Sequence, residues 1–197
     1  MIPSKQYVQK ACEATPANTE KYYDALVATM TKFQINTPQR VAAFLATIEV
    51  ESARLTAVEE GLSYSSADRL ASIFKRAFKS PAEAIPYIKN PKALSQKLYN
   101  GFHGRGLIQL TWEDNYRKAG TALGVDFIAN PSLLATPQYA ALSAGWFWDV
   151  HKCNQWADKS DMDQITLEVN GKAKLALQER IAEFKENMQP DMVAMLV

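Results

Sequence analysis

Four carboxylates crowd the stretch IEVESARLTAVEEGLSY: Glu49, Glu51, Glu59 and Glu60, with Arg54 the one cation among them. Two carboxyl groups in different surroundings can divide the work of a proton donor and a proton acceptor. That is the minimum apparatus for cleaving a glycosidic bond. A helical wheel begun at Pro38 sorts the first pair. Glu51 follows Ile48 by three positions and Phe44 by seven, so it sits at the edge of the apolar stripe. Glu49 turns further from that stripe, on the opposite edge, and Val50 points nearly away from the core. Glu51 is thus expected at the core boundary and near the C-terminal end of its helix, a setting suited to a general acid. Glu59 and Glu60 follow the helix on a segment that can fold back, so one of them can face Glu51 across a cleft. Four glutamates near a helix end are more often a solvated acidic patch than a catalytic pair, and spacing alone leaves both readings open.

The elements that must position these groups read as helices. YVQKAC is followed by TEKYYDALVATMTKF, with Tyr22, Leu26, Met30 and Phe33 on one stripe. Thr37-Pro38 pairs a capping hydroxyl with proline at the first helical position, and the helix that follows lines up Val41, Phe44, Leu45 and Ile48. Ser65 with Asp68 resembles a capping box before DRLASIFKRAF. Pro81, Pro86 and Pro91 divide the next region into short helical pieces. Gly101, Gly104 and Gly106 break the pattern, and RGLIQLT reads as a short extended segment. WEDNYRKAGTAL is a further helix with Thr111 as its cap. Thr136-Pro137 opens PQYAALSAGWFWDV, whose Trp146, Phe147 and Trp148 look like core. ITLEVNG and LALQERIAEFKENM close the chain, and the apolar MVAMLV is expected to pack on the core.

The totals bound the class. The 197 residues, 47% hydrophobic, can bury a real core and fit one domain, with room for two lobes. A formal charge of +1 lacks the basic excess of a nucleic-acid binder. Cys12 and Cys153 are too few for a disulfide framework; they can pair or stay as buried thiols, and the second reading is favoured. No apolar run has signal-peptide or membrane-spanning length. His151 and Cys153 offer only two potential metal ligands.

Four ordered motifs carry a resemblance. AFLATIEVESARLTAVEEGLSYS is similar to the pattern AFLAQ-x-x-HESGGF-x-x-L-x-E-N-x-NYS. FHGRGLIQLTWEDNY is similar to YRGRG-[LP]-IQ-[LI]-[TS]-x-x-x-NY. NPSLLATPQYAALSAGWFWDVHKCN is similar to NPELLA-x-P-x-x-AA-x-SA-x-WFW-x-x-x-x-CN, and VNGKAKLALQERIAEF to a closing ING-G-x-x-G-x-x-x-R-x-x-x-[FY]. From about Val41 to Phe184 the chain therefore resembles glycoside hydrolase family 19, most nearly its phage endolysin branch.

The resemblance implies a mostly α, lysozyme-like, two-lobed single domain spanning 1–197, with a small extended element beside the cleft and no separate wall-binding domain. It implies Glu51 as general acid, Glu60 as the base that activates water, and Thr111 as the hydroxyl that holds that water. Gln109 and Asn115 are implied to bind sugar, Asn170 to lie near the water, and Arg180 to support the carboxylates from behind. Tyr64, Phe102, Trp112 and Trp146 are candidate aromatic platforms, with a core role favoured for Trp146. His103 either touches a sugar or is structural. Gly104 and Gly106 are expected to permit a tight backbone path, and Arg105 to support local structure. This chain departs from the family pattern at Val50, where His is usual, at Ala53-Arg54 in place of Gly-Gly, and at Lys172 in place of a second Gly. It also has a shorter stretch between Tyr99 and Gly104.

The implied activity is inverting hydrolysis of β-1,4 bonds in the amino-sugar backbone of peptidoglycan, with no cofactor or metal. The implied setting is a monomeric phage, prophage or bacterial lysis enzyme made in the host cytoplasm without a signal peptide. It would reach the wall through a holin or another delivery route, with no stable membrane association and no nucleic-acid partner. The rivals are a chitinase, a lytic transglycosylase and a non-catalytic glycan-binding domain.

Overall fold

The computed structural model describes residues 1–196. Twelve α-helices run through them: α1 Lys5–Ala11, α2 Pro16–Lys32, α3 Pro38–Glu51, α4 Ala67–Ile73, α5 Pro81–Ala84, α6 Pro91–Tyr99, α7 Glu113–Leu123, α8 Pro137–Val150, α9 Cys153–Ala157, α10 Met162–Asn170, α11 Leu177–Asn187 and α12 Pro190–Val193. Among the described residues β-pairing is limited to three isolated bridges, Pro3 with Leu196, Glu59 with Arg105, and Arg105 with Leu110.

Helix α3 shows how local signals and burial combine. The Thr37 side chain accepts from the Arg40 backbone N–H, and Pro38 occupies the first turn, where no intrahelical donor is missed. Val41, Phe44, Leu45 and Ile48 are all fully buried. Each such side chain gains about 1.5–3 kcal/mol on burial, more than the few tenths that a β-branched residue costs a helix. Arg40 then clamps the helix start to the end of α9 through two bonds to Asp158, at 2.8 and 2.7 Å.

Three apolar clusters give the molecule its lobes. The largest holds the buried faces of α1, α2, α3 and α8 with residues of α9 to α12. A second joins α7 to Phe127, Leu134 and Trp146. The third is a small lobe of its own: Leu62, Leu70, Phe78, Ala84 and Leu94, from α4 to α6. Met195 and Leu196 pack on the main core, and the Ser4 N–H donates to the Met195 carbonyl at 3.2 Å; Val197 lies outside the described residues. Cys12 and Cys153 are buried free thiols.

Three local expectations need correction. Helix α4 is capped by Ser66, which accepts from the Arg69 N–H, and ends at Ile73 because Phe74 leaves helical geometry. RGLIQLT is no extended run: Arg105 and Leu110 exchange backbone bonds at 3.0 and 2.8 Å around a closed turn. Gly106, at φ +82°, permits that turn, and its N–H donates to Val58 at 2.9 Å. Thr111 does not cap α7, since Trp112 is the N-cap and offers no side-chain bond.

Candidate active site

Glu51 ends α3 and meets α10 and α11 of the large body. Its Oε1 is paired with the Arg180 guanidinium of α11 and accepts from Asn170 Nδ2 of α10 at 3.2 Å. Arg180 is fully buried, and its Nη1 also donates to the Leu175 carbonyl at 2.6 Å. Its Nε finds no partner among the described residues. Glu51 and, more than a hundred positions on, Asn170 and Arg180 therefore form one hydrogen-bonded group.

Glu60 is built differently. Its segment pairs with the glycine-rich turn: the Glu60 N–H donates to the Gly104 carbonyl at 2.8 Å, and the Gly104 N–H returns a bond to Glu60 Oε2 at 3.2 Å. The Tyr99 hydroxyl, at the end of α6, donates to Glu60 Oε1 at 2.9 Å. Burial and the neighbouring Glu60 charge push the Tyr99 hydroxyl far above its ordinary range, so it remains a donor. A Cβ on Gly104 would stand 2.9 Å from Gln109 Oε1 and 3.4 Å from Thr111 Oγ1. Glycine here lets the backbone that pairs with Glu60 pass close to the Gln109 and Thr111 side chains. The Thr111 hydroxyl donates to the Gln109 carbonyl at 2.9 Å.

Glu59 points into another network. His103 Nε2 and Arg105 Nε both reach its Oε1, at 2.9 and 2.8 Å. Burial raises the Glu59 carboxyl, but these two bonds outweigh it and hold the group below the ordinary carboxylate range. Arg105 also donates to the Tyr116 hydroxyl at 2.9 Å. A cavity of about 610 Å³ opens beside this network, lined by Glu59, Glu60, Lys92, Gln96, His103 and Arg105 among others.

The structure places the remaining candidate residues as follows. His103 is buried with both ring nitrogens engaged, by Glu59 and by Ser95 Oγ at 2.5 Å, so it braces the site rather than offering a free group to a sugar. Phe102 is buried edge-on against Tyr116 at 5.2 Å and presents no open face. Trp146 is buried in the second cluster. Tyr64 is half-buried against Phe74. Gln109 spends its amide on the Ala57 and Gly106 carbonyls, at 3.2 and 3.0 Å, and Asn115 donates to the Thr111 carbonyl at 2.9 Å. Trp112 alone of the proposed platforms is well exposed, at 54%.

Glu49 overturns the wheel. It is 3% exposed, more buried than Glu51, because α11 packs over that edge of α3. Burial raises its carboxyl, with the Arg54 bond opposing and the Glu183 charge adding to the rise. Tyr99 has no signal in the sequence, because an aromatic at a helix end carries no sign of the loop it will meet. Among the described residues, no three His, Cys, Asp or Glu side chains gather where they could hold a metal. His151 bonds Glu168 at 2.9 Å and stacks on Phe147.

Comparison with known proteins agrees with this architecture. A family model described as chitinase class I matches residues 4–180. A glycosyl hydrolase family 19 domain-containing protein of Haemophilus influenzae is 28% identical over 170 residues, covering 79% of this chain and 82% of that protein. Endochitinase 2 of Gossypium hirsutum is 31% identical over 147 residues, 68% of this chain, and the match spans 46% of that longer protein. The fold is shared with chitinase C from Streptomyces griseus HUT6037, at TM-score 0.66 and 22% identity over 97% of this chain and 76% of that one. It is shared as well with a class IV family 19 chitinase from Zea mays, at TM-score 0.62 and 19% identity over 97% and 92% of the two chains. With the family model spanning nearly the whole helical body and the four ordered motifs, this chain belongs to glycoside hydrolase family 19.

Proposed function

We propose that this glycoside hydrolase cuts β-1,4 bonds in the glycan strands of peptidoglycan, by inversion, as one catalytic domain of 1–197. The observation that carries the mechanism is the separate housing of two carboxylates: Glu51 on a helix end against Arg180 and Asn170, and Glu60 on a loop against Tyr99 and Gly104. In this reading Glu51 protonates the leaving oxygen. The Arg180 guanidinium then stabilises the carboxylate left behind. Glu60 takes a proton from the attacking water, and Thr111, close to the Glu60 loop through Gly104, orients that water. The endolysin-like motifs support peptidoglycan as the strand, with action at the wall after release through a holin or a similar route.

Chitin is the second reading, favoured by the chitinase names of the plant relative and of the solved structures. Purified protein incubated with peptidoglycan and with chitin oligomers in heavy-oxygen water tests both. Inverting hydrolysis places the label at the new reducing end, initially as the α anomer. Unlabelled 1,6-anhydro ends would overturn Glu60 as a base and indicate a transglycosylase. Release of no product from either polymer would overturn the enzymatic reading altogether.

A further inference from the structure

The formal charge of +1 conceals a division between the lobes. Residues Gly61–Asn100 carry seven basic side chains against two acidic ones, a net +5, so the rest of the chain is net −4. Three of the seven, Lys75, Arg76 and Lys97, line a cavity of about 500 Å³ whose wall also includes Tyr99 and Trp112. All three cations are exposed, and none makes an ion pair among the described residues. Like charges gathered in this way repel one another and gain nothing from the fold.

The aromatic wall is unusual too. Trp112 stands at φ +78° and ψ 141°, a region that a bulky L residue rarely occupies. Its N–H donates to the Phe102 carbonyl at 2.8 Å, and its ring packs edge-on to Tyr99 with centroids 5.2 Å apart. The backbone thus bears strain in order to hold a half-exposed indole beside three cations. Tyr99 belongs to both places: its hydroxyl holds Glu60, and its ring lines this second cavity.

We infer that the cavity formed by Lys75, Arg76, Lys97, Tyr99 and Trp112 is a subsite for the carboxylate-bearing peptide stems of the glycan strand. The inference rests on the peptidoglycan reading above and deepens it. Chitin is uncharged and offers these cations no partner. A strand with acidic peptides offers carboxylates at regular intervals, within reach of Lys and Arg side chains while a sugar or peptide face covers the indole. Position adds to the chemistry. A unit seated here lies one tyrosine ring from Glu60, so recognition of a stem would set the register of the bond presented for cleavage.

The test compares soluble peptide-bearing glycan strands with the same strands stripped of peptides by an amidase and then esterified at the lactyl carboxylates that the amidase frees, using the full chain. The wild type should show a higher kcat/KM on peptide-bearing strands, and added salt should narrow that preference. In the variant Lys75→Gln/Arg76→Gln/Lys97→Gln the ratio of the two kcat/KM values should fall about ten-fold, as expected for three partly solvated ion pairs, and lose its salt dependence. A control removing three exposed cations of the large body, Lys21→Gln/Lys159→Gln/Lys185→Gln, should leave the ratio where it was. An unchanged ratio in the small-lobe variant overturns the subsite while leaving peptidoglycan hydrolysis intact, as does a wild type that cuts both strands equally well. Cleavage of chitin oligomers alone overturns the peptidoglycan reading and the subsite with it. Loss of binding to phosphatidylglycerol vesicles in the small-lobe variant, with the ratio intact, would reassign the cations to a membrane surface.

Discussion

Glu51 and Glu60 stand nine positions apart in the chain, yet they are held by opposite means. Glu51 is set by charge and by helices: a fully buried guanidinium and an amide, presented by α11 and α10. Glu60 is set by neutral donors on loops and on the small lobe, the Tyr99 hydroxyl and the Gly104 N–H. The first arrangement sets a cation against the carboxylate that remains once Glu51 has given its proton in the proposed mechanism. The second pairs the negative charge with no cation, which in the proposed mechanism suits the group that draws a proton from water. Glu59, beside Glu60, shows what compensation looks like on the same loop, since His103 and Arg105 both occupy its Oε1.

The largest expected effect breaks the charged side. Glu51→Gln keeps an acceptor for Arg180 and Asn170 but no proton to give, so kcat on purified wall should fall by about 10²–10⁴ while circular dichroism shows a native fold. Retained activity would remove Glu51 from the mechanism. On the neutral side, Glu60→Gln should lose about 10²-fold in rate. Glu59→Gln should stay within a few-fold of wild type yet melt earlier, by about 2–4 °C for each kcal/mol lost, because buried Arg105 and His103 lose their carboxylate. Equal small losses of activity at both positions would mean that neither activates water.

Smaller effects sharpen the contrast. Thr111→Val should lower kcat about ten-fold, since orienting a water contributes at the transition state. Trp112, not Thr111, occupies the N-cap, so the accompanying loss of stability should be no more than about 1 kcal/mol for the bond to Gln109. A variant that melts early with full activity would confine Thr111 to structure. Glu49→Gln tests the other glutamate of α3. Its raised carboxyl means that the folded protein holds a proton which the unfolded chain has released at the same pH. That contribution is present below the ordinary glutamate value of 4.5 and is lost as pH rises through the raised one. Above that range the Gln variant should melt higher than wild type, and the difference should vanish in acid; a variant that melts lower at neutral pH would show that the Arg54 pair outweighs the cost of burying the carboxylate.

The smallest effect concerns the turn that separates the two carboxylates. Ala53, Arg54 and Leu55 all stand at positive φ, 46°, 64° and 61°, where this family's pattern has Gly-Gly at the first two positions. Left-handed geometry costs an L residue about 1–2 kcal/mol, and glycine adds about 0.4–1 kcal/mol of freedom to the unfolded chain. Ala53→Gly should therefore gain about 0.5–1 kcal/mol by denaturant titration. A loss of stability would show that neighbouring contacts already relieve the strain.

How much of this was legible differs from residue to residue. Thr37-Pro38 announced the start of α3 because capping and proline geometry act within one turn. The four-residue stripe of α3 was readable for a similar reason, since helical periodicity follows from backbone geometry alone. Ser65 and Ser66 differ by one position, and local rules do not separate two adjacent hydroxyls. RGLIQLT is apolar and short enough to read as a strand, but Gly106 and the left-handed Gln109 fold it into a turn, which with the preceding Gly104 finds its partner at Val58 to Glu60.

The candidate site divides in the same way. By its own pattern the sequence determined most of the helices, the glutamate that ends α3 and, through its four ordered motifs, the resemblance to one family of hydrolases that makes Glu51, Glu60, Thr111, Asn170 and Arg180 the candidates. Only the tertiary structure decided how those groups are held. It buried Glu49 under α11, where a single-helix wheel cannot see the helix that packs over it. It locked His103 between Ser95 and Glu59, and it brought Tyr99 from the small lobe to Glu60. Each of these outcomes depends on partners 8 to 44 residues away or on another lobe, and periodicity describes one element at a time. Burial, charge compensation and donor placement are properties of the packed set, so they come into being when the elements meet.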